Sequence, residues 1–89
     1  MNRTTWHFSG HVQGVGFRYT AHNIAMQYNV TGYVRNLDDG RVEMLVEGPD
    51  DQIQQIMHGI QQRMEGFIKK VDSNVSPATG EFHEFSVKH

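Results

Sequence analysis

Between Thr5 and Ser9 apolar and polar residues alternate, with Trp6 and Phe8 on one side, Thr5, His7 and Ser9 on the other, and Val12 closing the run. A period of two predicts a half-buried strand. The period then changes: Phe17, Ala21, Ile24, Ala25 and Tyr28 fall at i, i+4, i+7, i+8 and i+11, one face of a helix over 17–28 that Asn29 ends. Residues 30–37 are rich in β-branched and aromatic side chains, Asp38-Asp39-Gly40 supplies turn chemistry, and Val42, Met44 and Val46 alternate through 41–47. That is a hairpin.

Gly48-Pro49 breaks the hairpin's second strand. Asp50 is expected to cap the helix that follows, Asp51 to complement its dipole, and Ile53, Ile56, Met57, Ile60 and Met64 to form its apolar stripe over 50–65, with Gly66 at its end. The glutamines and Arg63 on the other face read as solvated surface. Residues 67–71 read as a short strand, 72–80 as a loop and 82–88 as a last strand. The order β-α-β-β-α-β predicts an α+β, ferredoxin-like split β-α-β fold. Its antiparallel sheet has four strands, or five with 67–71, and two helices on one face.

Eighty-nine residues form one domain, 1–89, with no linker or repeat. The formal net charge of −2 argues against a protein built to grip nucleic acid. With no cysteine there is no disulfide, thiolate nucleophile or zinc-thiolate site. No apolar run reaches the length of a membrane span and no secretory h-region precedes the first strand, so a soluble, cytoplasmic protein without membrane contact is expected. The six histidines show no ligand spacing and read as ordinary surface residues; no metal and no cofactor is expected.

The chemistry concentrates between the first strand and the first helix, in Gly10-His11-Val12-Gln13-Gly14-Val15-Gly16-Phe17-Arg18. Three glycines let the backbone turn tightly and bring several N–H groups to one point, an anion cradle. Arg18 falls in the helix's first turn, where a cation is disfavoured by roughly 0.3–1 kcal/mol unless an anion sits between. The spacing matches neither the P-loop nor the dinucleotide fingerprint. A tight turn followed by a surface arginine remains the alternative. Asn36, a polar residue in an apolar strand, wants a partner: it either bonds to its own backbone at the hairpin edge or faces the cradle and orients a water.

The nine residues from Gly10 to Arg18 resemble the first signature of the acylphosphatases. Gly32-Tyr33-Val34-Arg35-Asn36, followed by Asp39-Gly40-Arg41-Val42 and Glu47-Gly48-Pro49, resembles the second. The resemblance covers essentially the whole chain. It implies hydrolysis of an acyl phosphate to a carboxylate and inorganic phosphate, with the latter also a competing ligand. By that similarity Arg18 corresponds to the phosphate-binding arginine and Asn36 to the water-orienting asparagine. The backbone N–H groups of Gln13, Gly14, Val15, Gly16, Phe17 and Arg18 correspond to the cradle. His11 stands where many members carry Arg or Lys, Leu37 where others carry a hydroxyl, and the chain ends Val87-Lys88-His89 where many end in an aromatic residue.

The leaving group of an acyl phosphate is a carboxylate, already a weak base, so it needs no general acid. Positioning and charge neutralisation by Arg18 and backbone dipoles are the expected source of catalysis, without a metal. A monomer is expected. Two other functions fit the same pattern: a small RNA-binding module, which Gly14-Val15-Gly16-Phe17-Arg18-Tyr19 faintly echoes, and a domain that binds a phosphorylated metabolite without turning it over.

Overall fold

A computed structural model describes residues 1–89. Its elements are β1 (Asn2–Gly10), α1 (Phe17–Ala25), β2 (Thr31–Asn36), β3 (Val42–Gly48), α2 (Asp50–Arg63), β4 (Ile68–Pro77) and β5 (Phe85–Lys88). They form one five-stranded sheet in the order β4-β1-β3-β2-β5. This is the expected ferredoxin-like arrangement, with a fifth strand added beside β2. β1 pairs antiparallel with β3 and β4, and β2 antiparallel with β3. β5 runs parallel to β2 at the sheet's edge.

The period-two pattern of β1 becomes a two-faced strand. Thr4, Trp6 and Phe8 are buried on one side, as are Val42, Met44 and Val46 of β3. Both helices cover that side. Phe17, Ala21, Ile24 and Ala25 of α1 and Ile53, Ile56 and Ile60 of α2 join these strand residues in one core. Burying each large apolar side chain contributes roughly 1.5–3 kcal/mol, which gives both crossovers their anchorage.

Several boundaries move. α1 stops at Ala25 rather than Tyr28, because Gln27 and Tyr28 donate to Ile24 and Ala25, three residues back, in tighter turns. Tyr28 still packs against the core, so the apolar stripe outlasts the helix. Residues 72–77, expected in a loop, are strand, because β4 pairs with β1 along its whole length, up to Asn2 opposite Pro77. The last strand begins at Phe85, and Phe82 instead lays its ring against Tyr33 with centroids 5.8 Å apart. Pro49, not Asp50, caps α2; Asp50 is its first residue and accepts from Asn2 Nδ2 at 2.9 Å. On the face of α2 expected to be only solvated, Gln52 accepts from the Asn29 N–H at 2.8 Å.

The sheet's other face carries two carboxylate centres. Glu43 accepts from Tyr33 Oη at 2.7 Å and Arg35 Nε at 2.8 Å, with His7 Nε2 2.8 Å away. Burial followed by Glu43 pushes the Tyr33 hydroxyl up to about 12. Glu47 is buried beneath the 78–81 turn and accepts from Arg3 Nε, the Thr79 and Gly80 N–H groups and Thr79 Oγ1. Burial alone would raise Glu47, but these donors outweigh it and hold the carboxyl at about 2. Arg3 also pairs with Glu81. The turn leading into β5 is thereby tied to the centre of the sheet.

Candidate active site

Between β1 and α1 the chain bends through residues 11–16, and the core holds both ends of the bend. Val12 is 1 % exposed and Phe17 2 %, and the Phe17 ring meets Phe8 with centroids 4.8 Å apart. Between these anchors Gly14 and Gly16 both take φ +76°, the left-handed region that an L side chain enters at a cost of roughly 1–2 kcal/mol. A Cβ at either glycine would meet nothing within 4 Å, so backbone conformation alone demands glycine there.

Gly16 caps α1 without a side-chain hydrogen bond, and the first turn holds no acidic residue. The N–H groups of Phe17, Arg18 and Tyr19 therefore open the helix unanswered by a carboxylate or hydroxyl, at the positive end of its dipole. Arg18 stands in this turn. Its Nη1 donates to the Lys88 carbonyl at 2.9 Å and lies 3.4 Å from His89 Nδ1. A guanidinium has five N–H donors, and this contact with β5 leaves most of them free.

Asn36 arrives from the sheet. It is the last residue of β2 and lies two positions beyond the fully buried Val34, so strand alternation turns it to the helix-covered side. Val12, Gly14, Gly16, Phe17, Arg18, Tyr19 and Asn36 line one small pocket of about 120 Å³. The Asn36 amide does not bond to its own backbone. That turn role falls to Asp39, whose Oδ1 accepts from the Arg41 N–H at 3.1 Å.

Of the residues expected at the site, Gly14, Gly16, Phe17, Arg18 and Asn36 line the pocket itself, and Gln13 and Val15 belong to the same bend without lining it. Gln13 also does something its sequence position does not announce. Its Nε2 donates to the carbonyls of Leu37 at 2.8 Å and Arg41 at 3.0 Å, crossing from the bend to the hairpin. The Lys88 carbonyl beside Arg18 is a second contributor invisible in the sequence, since it is a backbone atom seventy residues further along the chain. The Gly14-to-Tyr19 segment that echoes an RNA-binding motif occupies a bend and a helix start, not the middle of a strand. No three His, Asp or Glu side chains gather as a metal-ligand group, and no helix is long and apolar enough to cross a membrane.

Two larger concavities lie elsewhere. One of about 540 Å³ runs between α2 and the edge of the sheet, past Trp6, Met57 and Val75, and one of about 330 Å³ lies beside Lys69 and Lys70. The first is lined by no Lys or Arg, and the second by no glycine bend or helix start.

A family model described as acylphosphatase matches residues 4–87. Among curated relatives, an acylphosphatase of Paenarthrobacter aurescens is 41 % identical over 86 residues, covering 96 % of this chain and 92 % of its own. An acylphosphatase of Deinococcus radiodurans is 38 % identical over 84 residues, covering 91 % and 97 %. Among solved structures, the acylphosphatase from Bacillus subtilis superposes with a TM-score of 0.89 at 31 % identity, covering all of both chains. Family match, identity over nearly the full length and superposition agree: this chain belongs to the acylphosphatase family.

Proposed function

We propose that this chain hydrolyses acyl phosphates by cradling the phosphoryl group in the backbone N–H groups of Gln13, Gly14, Val15, Gly16, Phe17 and Arg18, with the Arg18 guanidinium neutralising its oxygens and Asn36 orienting the attacking water. The observation that carries this proposal is the convergence of a helix start without a side-chain cap, a first-turn arginine and an asparagine on the helix-covered side of the sheet, all on one pocket.

Each part has a physical task. The N–H groups and helix dipole attract the dianionic phosphoryl group, and Arg18 adds charge-assisted hydrogen bonds to oxygens that gain charge as the P–O bond breaks. The Lys88 carbonyl restrains the guanidinium before substrate arrives, so less rotamer freedom is lost on binding. Asn36 accepts from the water and holds it in line with the leaving group. Water attacks phosphorus, the bond to the acyl oxygen breaks, the carboxylate leaves, and the water's proton passes to a phosphoryl oxygen. No protein base is required, and carboxylate departure requires no acid.

The reaction as proposed needs no metal or cofactor, and inorganic phosphate is both product and competing ligand. The 120 Å³ pocket has room for the phosphoryl group but not for a large acyl group, which extends into solvent, so the enzyme accepts acyl phosphates of varied chain. We further propose that residues 1–89 act as one domain, a cytoplasmic monomer that engages neither nucleic acid nor membrane. The test is loss of benzoyl phosphate in EDTA, measured for the wild type beside Asn36→Ala. Rapid hydrolysis that the variant lacks is expected. Phosphate binding without turnover in the wild type would leave a phosphate-binding domain instead.

A further inference from the structure

We propose that the Gln13 side chain is a positioning residue for the reaction: it fixes the distance between the phosphoryl cradle and the water held by Asn36. The inference rests on the role of Asn36 given above and adds what sets that residue's place.

Asn36 needs outside support. β2 lies between β3 and β5, but its parallel pairing with β5 ends at Arg35 opposite Lys88. Asn36 is therefore paired on one side only, with Val42 of β3, and is exposed at the strand's end. Beyond it the chain turns through 37–41, closed by the Leu37 N–H donating to the Arg41 carbonyl at 2.8 Å. A strand end with one partner and a solvent-facing turn would fray over the distance that in-line attack cannot tolerate.

The Gln13 amide meets this turn at its mouth. Its NH₂ group divides its two protons between the carbonyls of Leu37 and Arg41, the two residues of the closing pair. These are the only hydrogen bonds that pass between the 11–16 bend and the hairpin. The backbone of Gln13 belongs to the proposed cradle while its side chain grips the residue next to Asn36, so one residue spans both halves of the site. An amide that only filled space at the bend would not need both carbonyls. A misplacement of about 1 Å in such a geometry lowers turnover by up to roughly 100-fold.

The test is a double-mutant cycle with benzoyl phosphate in EDTA. Gln13→Met keeps the volume and removes the donors, and Gln13→Asn keeps an amide one methylene too short to span both carbonyls. Each is measured alone and with Asn36→Ala, alongside the thermal shift given by inorganic phosphate. In the wild-type background both Gln13 variants are expected to lower kcat by about 10- to 100-fold. KM and the phosphate shift should hold within about threefold, because the cradle's backbone donors remain. In the Asn36→Ala background the same substitutions should cost less than about threefold, because the group they position is gone. An undiminished loss in that background, a loss in KM or phosphate binding rather than kcat, or unfolding of both Gln13 variants would overturn the proposal and make Gln13 a structural clamp. Wild-type turnover that survives Asn36→Ala would remove the role of Asn36 and this inference with it. Strict dependence on Asn36 with an additive cycle would remove this inference alone.

Discussion

The guanidinium of Arg18 in the first turn of α1 donates to the carbonyl of Lys88 at the end of β5, 2.9 Å away. A cation at a helix N-terminus is unfavourable in isolation, and here a carbonyl dipole partly offsets that while leaving donors for an anion. Replacing Arg18 with Ala is expected to lower kcat/KM by about 100- to 1,000-fold, the scale for losing one preorganised donor to developing charge, and to abolish the thermal shift given by phosphate. Kinetics on benzoyl phosphate and a melt with and without phosphate check both. A variant that keeps the phosphate shift would place anion binding elsewhere.

Asn36→Ala should separate the two tasks of the site. The phosphate shift should stay close to that of the wild type, while kcat falls by about 100-fold or more as the attacking water loses its orientation. Equal loss of phosphate binding in Arg18→Ala and Asn36→Ala would erase the division of labour between them.

Inorganic phosphate should stabilise the fold by mass action. At ten times its dissociation constant the gain is about 1.4 kcal/mol, a rise in Tm of several degrees for a domain of this length. The midpoint should climb with the logarithm of phosphate concentration, and chloride at equal ionic strength should not reproduce it. A flat midpoint up to tens of millimolar phosphate would count against the cradle.

Gly16→Ala should be costly although a methyl group there meets no atom within 4 Å. The left-handed φ of +76° costs an L residue roughly 1–2 kcal/mol, or the bend relaxes and the cradle opens. A lowered Tm together with weaker phosphate binding is expected. A variant as stable and as phosphate-responsive as the wild type would show that the bend does not depend on this conformation.

Glu47 should set part of the acid limit of stability. Its carboxyl is held at about 2 in the folded chain, below the value of roughly 4.3 in an unfolded one. The stabilisation is fully present above the unfolded value and is lost as pH falls from about 4.5 towards 2. Glu47→Gln should cost roughly 1–3 kcal/mol at neutral pH, and its stability should fall less steeply through that acid window. Denaturant melts at several pH values check the slope, and parallel slopes for the two proteins would mean that another carboxylate carries the acid transition.

Both helices, the hairpin and the glycine bend were legible along the chain because each is written in local terms. Periodicity places Phe17, Ala21 and Ile24 on one face, Asp39-Gly40 permits a tight turn, and Gly14 and Gly16 permit positive φ. Residues 72–77 were not legible. Their Asp, Ser and Asn residues carry loop propensity, yet they form strand because β1 offers an unpaired edge to the full length of β4, and pairing overrides propensity on an exposed edge strand. The parallel seating of β5 beside β2 was equally hidden, since four residues do not encode which edge they join.

The sequence by itself pointed to the residues of the proposed site: Arg18 one position into a helix, the bend before it, and an asparagine at a strand end, singled out along the chain and given their roles by resemblance to the acylphosphatases. The tertiary structure decided how they meet. Arg18 is braced by a carbonyl of the last strand, and the Gln13 amide bridges the glycine bend to two carbonyls of a hairpin more than twenty residues away. Both relationships use backbone acceptors, which every residue carries, so no side-chain pattern announces them; the fold alone determines which carbonyl faces which donor.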